Sequence, residues 1–341
     1  MQRHLGYILL IATLAVSGCR DESAEPPNAV FRAALLTSGP VSDQGWYAGA
    51  YEGLLLIEDS LAAEVSHQQT RTPAEFDEAF LAYGSAGYDI VFAHGFEYQD
   101  AAIRAGAQFP DMTIIVSGGG LVSDNVVPLT FRLEEGSYLA GMAAAGMTQT
   151  GVVGMVGGVP IPPAVLTFRA FEAGVRAVDP GVEVLETFTG DWDDVGAAKE
   201  AAVAQLGLGA DVLIHNVDAA SFAVFQAVRE SAASGRPAWA MGMNRDQNDV
   251  APDVIIGSAV IRISQAFLET ASAWQAGDVG GTPIYAGARQ EVVDFVINPE
   301  LATRIPAGVV EAIDEARRLI RAGELDLSQA TLLGEDGAGV P

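Results

Sequence analysis

Cysteine and lysine are almost absent from this chain, and their scarcity excludes several kinds of site. Cys19 is the only cysteine, so no disulfide can form within the chain and no zinc site can be built from several thiolates. Lys199 is the only lysine, and no GxxxxGK[ST] run surrounds it. A phosphate-binding P-loop and a Schiff-base lysine are therefore close to excluded.

Histidine is scarce too, and its spacing favours neither metal binding nor catalysis. His4, His67, His94 and His215 show no HxxxH or HExxH pattern, so we expect no metal site. The three glycines at 118–120 predict a turn, because no strand–GxGxxG–helix pattern surrounds them. The chain has no GxSxG run and no cysteine placed as a nucleophile. We therefore expect no cofactor, and an enzyme is the least favoured class of protein.

Positive charge is the third shortage. The chain has 18 Lys and Arg residues against 44 Asp and Glu residues, which gives a formal net charge of −26. Such a surface repels phosphate polymers, and no basic stripe offers a binding face, so no nucleic-acid partner is expected. Highly charged anionic ligands are disfavoured as well, unless arginines cluster locally.

The first 18 residues have the pattern of a bacterial lipoprotein signal peptide. After a basic start, residues 5–16 form an uncharged stretch that is too short to span a bilayer but suits a signal-peptide core. Ser17 and Gly18 are small, and Cys19 follows them directly, where lipoproteins are acylated. We therefore expect a lipid anchor on Cys19 that holds the protein outside the cytoplasm, on the periplasmic face or the cell surface. The alternative is an ordinary signal peptide followed by an incidental thiol.

Past the signal peptide, the pattern is that of a large α/β protein. Residues 19–29 are polar with two prolines and predict a tether, and no later apolar run is long enough for a transmembrane helix. From residue 31, short apolar runs alternate with amphipathic helical patterns, and the alternation starts again at residue 151. Such alternation indicates βαβ units with parallel sheets. We therefore predict an α/β fold with two doubly wound lobes.

Ligands of such folds bind beyond the carboxyl ends of the strands. Aromatic and short polar side chains alternate at these positions, which suits a flat, neutral ligand held by stacking and hydrogen bonds. The strand-end segments are residues 42–47, 94–96, 157–160, 190–192, 216–218 and 242–246.

In that order, these segments resemble the basic-membrane-protein (BMP) family, and the similarity covers residues 31–323. The family consists of lipid-anchored substrate-binding proteins of ABC importers, several of which bind purine nucleosides. The resemblance implies a type I periplasmic-binding-protein fold, in which two lobes joined by three hinge strands close around the ligand. The motifs that carry it lie at residues 42–46, 95–100, 132–141, 154–158, 171–180 and 209–212.

The domain boundaries expected from this fold are as follows. Lobe 1 comprises residues 30–148 and about 259–282, lobe 2 comprises residues 149–256 and about 285–326, and a flexible tail covers residues 327–341.

In lobe 1 the resemblance places Trp46 against the ligand's base, with Asp43 and Asp100 accepting from its N–H groups. Tyr47 stands where the family has an asparagine. Other interpretations stay open: Asp43 as a helix cap, Asp100 as an ordinary first-turn acid, and Trp46 and Tyr47 as core aromatics. Phe96 fits either the binding cleft or the core. The predicted binding residues of this lobe are Asp43, Gln44, Trp46, Tyr47, Phe96 and Asp100.

In lobe 2 the resemblance finds altered positions. Asn244 falls where a ribose-binding aspartate is usual, and Ile261 falls where a lysine is usual, with Arg262 beside it. The alternative for Trp192 is a ring folded onto its own lobe, and the alternative for Phe168 is a core position. For Asn216 and Asp218 the alternative is hydrogen bonding to neighbouring backbone. The predicted binding residues of this lobe are Phe168, Trp192, Asn216, Asp218, Asn244 and Asp246.

These observations predict a solute-binding protein that captures a purine nucleoside or related small ligand by hinge closure and delivers it to an ABC permease. One alternative is a ligand-sensing lipoprotein that signals to a membrane receptor. Another is a binder of a small molecule that is not a nucleoside.

Overall fold

The computed structural model describes residues 30–328 and residue 332, and the chain from Phe31 onward forms one compact unit. The predicted signal peptide, Cys19 and the tether at 19–29 lie outside the described residues, as does most of the predicted tail. Leu327 and Leu332, both within that tail, are buried in the core. Among the described residues no helix is both long and apolar enough to cross a membrane.

Strands and helices alternate along the chain. The strands are β1 (Arg32–Thr37), β2 (Glu64–Gln69), β3 (Ile90–His94), β4 (Thr113–Ser117), β5 (Val126–Phe131), β6 (Val152–Gly157), β7 (Glu183–Phe188), β8 (Val212–Asn216), β9 (Trp239–Asn244), β10 (Ile255–Ile261), β11 (Ile284–Ala286) and β12 (Val293–Ile297). The helices are α1 (Trp46–Leu61), α2 (Pro73–Ser85), α3 (Gln99–Gln108), α4 (Leu133–Met147), α5 (Pro162–Val178), α6 (Val195–Gly207), α7 (Ser221–Ala233), α8 (Ile263–Gln275) and α9 (Ala307–Ala322).

The strands form two six-stranded sheets. The first has the order β11-β5-β4-β3-β1-β2, and all its strands are parallel. The second has the order β12-β10-β9-β8-β6-β7, with β12 antiparallel at its edge. Each sheet with the helices packed on it is a lobe, so the predicted α/β architecture of two doubly wound lobes is confirmed.

The chain passes between the lobes three times, at Arg132, at Arg262 and in residues 287–292. The three passages are hydrogen-bonded to one another. The Arg132 N–H donates to the Ala286 carbonyl (3.0 Å), and the Arg262 N–H donates to the Val292 carbonyl (2.7 Å). These segments lie next to each other and form the connection about which the lobes can move.

The first passage comes earlier than the boundary predicted at residue 148. Helix α4 packs on α5 and therefore belongs to lobe 2. Glycine allows this packing, because a Cβ on Gly141 would lie 2.0 Å from the Phe171 carbonyl oxygen and one on Gly174 would lie 2.0 Å from that of Tyr138. The other boundaries shift by a few residues, since β10 stays in the second sheet to Ile261 and β11 joins the first sheet.

Candidate functional site

A cavity of about 360 Å³, here called the cleft, lies beyond the carboxyl ends of the strands, with walls from both lobes. Its volume falls within the range of small-molecule sites. Seven predicted binding residues line it: Trp46, Tyr47, Phe96, Trp192, Asn216, Asp218 and Asn244. The remaining wall residues are Gly95, Glu97, Gly118, Gly119, Gly120, Thr130, Phe131, Leu133, Glu134, Ile161, Pro162, Pro163, Ala164, Leu166, Thr167, Ile261 and Tyr285.

Trp46 reaches the cleft from the start of α1 and rests on a buried histidine. The indole and the His94 imidazole stack with their ring centroids 3.9 Å apart, and His94 Nε2 lies 3.1 Å from the Trp46 carbonyl oxygen. Burial lowers the pKa of His94 to about 3, so the imidazole is neutral. The Phe131 ring meets the indole edge-on at 5.8 Å. Trp46 is thus held between rings in a fixed orientation.

Asp43 fixes the loop that presents Trp46 and Tyr47. Its carboxylate accepts hydrogen bonds from the backbone N–H groups of Gly45 (3.2 Å), Tyr47 (2.9 Å) and Ala48 (2.8 Å). These bonds stabilise the first turn of α1, whose N–H groups would otherwise lack partners. Asp43 is buried behind the wall and does not line the cleft.

Tyr47 lies where the two lobes meet. Its ring lies against Gly39, where a Cβ would come within 2.2 Å of Tyr47 Cε2. The Tyr47 hydroxyl is 2.9 Å from Ser38 Oγ, and Ser38 in turn donates to a carboxylate oxygen of Glu97. Tyr47 also lies near Asp218 of lobe 2, which lines the same cleft. Glu97 faces the cleft mouth and is open to solvent on that side.

Three polar side chains of lobe 2 enter the cleft with few partners. Asp218, Asn216 and Asn244 are only 7%, 8% and 5% exposed. The two side-chain amides have no protein hydrogen-bond partner among the described residues and reach the open space of the cleft. Asn244 has a φ of +68°, a left-handed conformation that asparagine tolerates better than most residues. A bound molecule would supply the missing partners.

Asp218 is surrounded by acids. Burial raises the pKa of its carboxyl well above the ordinary value, and the negative charges of Asp43, Asp193 and Glu97 raise it further. The nearby Tyr47 hydroxyl opposes this rise. The Asp218 N–H donates to the Trp192 carbonyl oxygen (2.9 Å), which ties the loop after β8 to the loop after β7.

Trp192 packs on its own lobe and also lines the cleft. A Cβ on Gly158 would lie 2.2 Å from the indole atom Cε3, so glycine makes room for the ring. The indole is half-buried and forms part of the cleft wall. The Trp192 ring therefore folds onto its own lobe and at the same time borders the cleft, and its contact with a ligand stays a prediction.

The other predicted side chains lie away from the cleft wall. Phe168 is fully buried and packs against Phe188, with ring centroids 5.1 Å apart. Asp100 is exposed in the first turn of α3, and Gln44 is exposed at a φ of +59°. Asp246 is exposed and borders a separate cavity. Position after a strand does not determine on which side of a loop or helix a side chain lies.

Sequence reasoning missed Glu134, which is buried and lines the cleft. Burial raises the pKa of its carboxyl from 4.5 to about 7, although Arg132 Nε lies 3.2 Å away. The available signal was its position just after β5, within the motif at 132–141. Ile261 lines the cleft where the resemblance expected lysine, and the neighbouring Arg262 donates to the Glu291 carbonyl. No group of three His, Cys, Asp or Glu side chains in the described part of the chain could hold a metal ion.

Two lobes built on parallel sheets, with a cleft between their strand ends, define a type I periplasmic-binding-protein fold. The structure of a solute-binding protein of an ABC transporter system from Aeropyrum pernix K1 has this fold. It superposes with a TM-score of 0.77 over 91% of this chain and 98% of that chain, at 22% identity.

Residues 30–316 match the family model of PnrA-like ABC transporter substrate-binding proteins (Bmp), and the chain belongs to this family. It is 25% identical over 333 residues to a purine-binding protein of Brucella abortus, covering 97% of this chain and 91% of that protein. It is also 25% identical over 283 residues to the transcriptional activator protein Med of Bacillus subtilis, covering 83% and 86%. The resemblance to the BMP family is thus confirmed, and the chain is a solute-binding protein of an ABC transporter family.

Proposed function

We propose that this protein is a lipid-anchored component of an ABC importer that captures a purine nucleoside or a related planar nitrogen heterocycle in the cleft. The observation that carries the proposal is that the two lobes give the cleft walls of different chemistry. Trp46 offers a stacking surface on one lobe, and the unpartnered amides of Asn216 and Asn244 face the same space from the other. A flat ring with polar edges satisfies both walls.

The similarity to a purine-binding protein supports this class of ligand. Three positions depart from the nucleoside pattern. Tyr47 on lobe 1 replaces an asparagine, and on lobe 2 Asn244 replaces a ribose-binding aspartate and Ile261 replaces a lysine, as the family resemblance implies. Free purine bases and base-modified nucleosides therefore belong to the proposed ligand class.

The proposed mechanism is closure of the lobes around the ligand. The three adjacent passages allow the lobes to rotate, and a ligand that contacts both walls stabilises the closed arrangement. A salt bridge already spans the lobes, since Arg245 lies 2.8 Å from Glu52 of α1. A permease that recognises the closed arrangement would receive only loaded protein, and release there leaves the ligand chemically unchanged.

A screen of purified protein tests the ligand class. Adenine, hypoxanthine, adenosine, inosine and guanosine are compared by thermal shift and calorimetry, with glucose and galactose as controls. At a concentration 100 times Kd a ligand contributes about 2.7 kcal/mol, which raises Tm by several degrees. We expect a shift with at least one purine compound and recovery of that compound intact. Absence of binding by all five would contradict the proposal.

Lipid anchoring is tested separately by labelling cells with radioactive palmitate. We expect label on the parent protein and none on the Cys19→Ser variant. Equal labelling of both proteins would place the lipid elsewhere, and no labelling of either would remove the anchor from the proposal.

A second candidate is a ligand sensor, and the relative named as a transcriptional activator favours it. The same closure would then signal to a receptor and not to a permease. Affinity purification of the full-length protein from membranes distinguishes the two: a permease should accompany an importer, and a receptor should accompany a sensor.

A further inference from the structure

The wall of the cleft carries negative groups without positive ones. Glu97, Glu134 and Asp218 line it, and no Lys, Arg or His is among the described wall residues. The nearby Arg132 is shared, because its Nε lies 3.2 Å from Glu134 and 3.1 Å from Glu135. The single guanidinium of Arg132 therefore faces two carboxyl groups, and no positive group in the described wall balances Glu97 or Asp218.

Asp218 is the group most in need of a cation. It is 7% exposed, and Asp43, Asp193 and Glu97 are the charged groups that act on it, all of them acids. Tyr47, the remaining titratable neighbour, supplies no charge, because burial raises the pKa of its hydroxyl. A buried carboxylate without a positive partner is unfavourable, so Asp218 either keeps a proton or meets a cation brought by the ligand.

Aromatic rings make up much of the remaining wall. Their faces carry negative electrostatic potential, which attracts cations most strongly where water is excluded. A wall of aromatic rings and unbalanced acids is therefore suited to positive charge, whereas a phosphate would meet only repulsion there. The rings are those of Trp46, Tyr47, Phe96, Phe131, Trp192 and Tyr285.

We propose that the cleft selects a planar nitrogen heterocycle that carries a positive charge, in preference to the neutral form of the same ring system, and rejects phosphorylated forms. This inference rests on the proposed function, because it concerns the same cleft. When the cation binds, the Asp218 carboxyl releases its proton to solvent, and the ligand's charge takes the place of that proton.

An isomeric pair of nucleosides tests the preference. 1-Methyladenosine is protonated and cationic at neutral pH, and N6-methyladenosine has the same non-hydrogen atoms but is neutral. We expect calorimetry at pH 7 on the full-length protein to show at least tenfold tighter binding of 1-methyladenosine, and no binding of adenosine 5′-monophosphate. Equal or tighter binding of N6-methyladenosine would overturn the inference and leave the proposed function standing. If none of the nucleosides or bases binds, both fail.

Matched variants test which residue causes the preference for the cationic ligand. Asp218→Asn should lower the affinity for 1-methyladenosine at least tenfold more than it lowers the affinity for N6-methyladenosine. Asp59→Asn removes an exposed acid of α1 and controls for the overall charge, so it should change neither. If Asp218→Asn does not fold, Glu134→Gln serves in its place, with the same loss expected. Retention of the full preference in the folded variant would overturn the assignment.

The pH dependence gives an independent readout. Because the bound cation displaces a proton, its affinity should rise with pH, by up to tenfold per unit, at pH values below the raised pKa of the Asp218 carboxyl, while that of N6-methyladenosine should not rise. Titrations in two buffers of different ionisation enthalpy should also show release of about one proton per 1-methyladenosine bound. If the affinity does not depend on pH and no proton is released, the proposed replacement of the Asp218 proton by the ligand's charge is wrong.

Discussion

Two buried histidines lie at or near strand ends but do not line the cleft. His94 at the end of β3 supports Trp46, and His215 in β8 is 2.9 Å from Gln247 Oε1. Burial lowers the pKa of both, to about 3 and about 4, so neither is charged at neutral pH. Their place in the sequence resembled that of ligand-binding residues, yet their ring nitrogens face the protein.

Trp46→Ala should weaken ligand binding strongly, because it removes the stacking surface of lobe 1. Stacking of a base on an aromatic ring contributes about 1–3 kcal/mol, so Kd should rise roughly 5- to 150-fold. Trp46→Phe keeps a ring and should retain most of the affinity. Calorimetry with the purine compound from the screen measures both variants. An unchanged Kd for Trp46→Ala would remove this residue from the site.

Glu134→Gln should stabilise the protein at neutral pH but not in acid. Folded Glu134 has a pKa of about 7 against an ordinary value of 4.5, so it binds its proton more tightly than the unfolded chain does. The free energy of unfolding therefore falls as pH rises from about 4.5 to about 7. The gain from the variant should be near zero at pH 4.5 and reach as much as about 3 kcal/mol above pH 7.

Denaturant unfolding at pH 4.5, 6 and 8 measures this gain. Arg132 keeps Glu135 as a partner in the variant, so no buried cation is left alone. Glu58→Gln, an exposed position on α1, is the matched control and should show no comparable trend. A gain that does not grow with pH would show that the Glu134 carboxyl is charged in the folded protein at no cost.

For single residues, the sequence predicts which part of the fold a side chain occupies better than it predicts where that side chain points. Trp46, Asn216 and Asp218 could be predicted to line the cleft from their positions at strand ends. Asp100 and Asp246 share that kind of position but are exposed elsewhere, because helix phase and loop geometry decide where a side chain lies. Contact between Tyr47 and Asp218 depends on how the two lobes meet, which no local pattern contains.

Among the elements, the pair α4 and α5 shows what glycine contributes to close packing. The backbones approach so closely at Gly141 and Gly174 that a single methyl group would overlap a carbonyl oxygen. The sequence did not predict α4 as a helix, because most of its residues are buried and it lacks a polar stripe. By contrast, amphipathic patterns at residues 46–61 and 99–107 predict α1 and α3 to within one residue at each end.

Gly141→Ala should destabilise the protein, since its Cβ would lie 2.0 Å from the Phe171 carbonyl oxygen. Overpacking of this kind costs about 1–3 kcal/mol. Gly207→Ala is the matched control: it ends α6, nothing lies within 4 Å of its added Cβ, and it should be neutral or stabilising by up to about 1 kcal/mol. Chemical denaturation compares the two. Equal stability of both variants would contradict the close approach of α4 and α5.

For the whole molecule, the alternation of strands and helices was sufficient to predict two doubly wound lobes. It was not sufficient to place the passages between the lobes, because β11 pairs in the first sheet whereas β10 and β12 pair in the second. The second lobe begins with α4 at Leu133, 18 residues before Gly151, where the alternation restarts.

Glu52→Gln should weaken ligand binding slightly if closure brings the lobes together. It removes the pairing with Arg245 across the lobes, and an exposed salt bridge contributes up to about 1 kcal/mol, so Kd should rise at most about fivefold. The effect should shrink at high salt. Asp253→Asn breaks an exposed pair with Arg229 inside lobe 2 and should leave Kd unchanged. If the two variants change Kd equally, the salt bridge between Glu52 and Arg245 does not contribute to closure of the lobes.

The measurement that tests the central claim most directly is equilibrium dialysis of the full-length protein and its Trp46→Ala variant against purine bases and nucleosides, with mass spectrometry of the retained compound. The account predicts that the parent protein retains at least one of them, in a one-to-one ratio and chemically unchanged, and that the variant retains much less. Equal retention by the variant, a chemically altered compound, or no retention at all would contradict it.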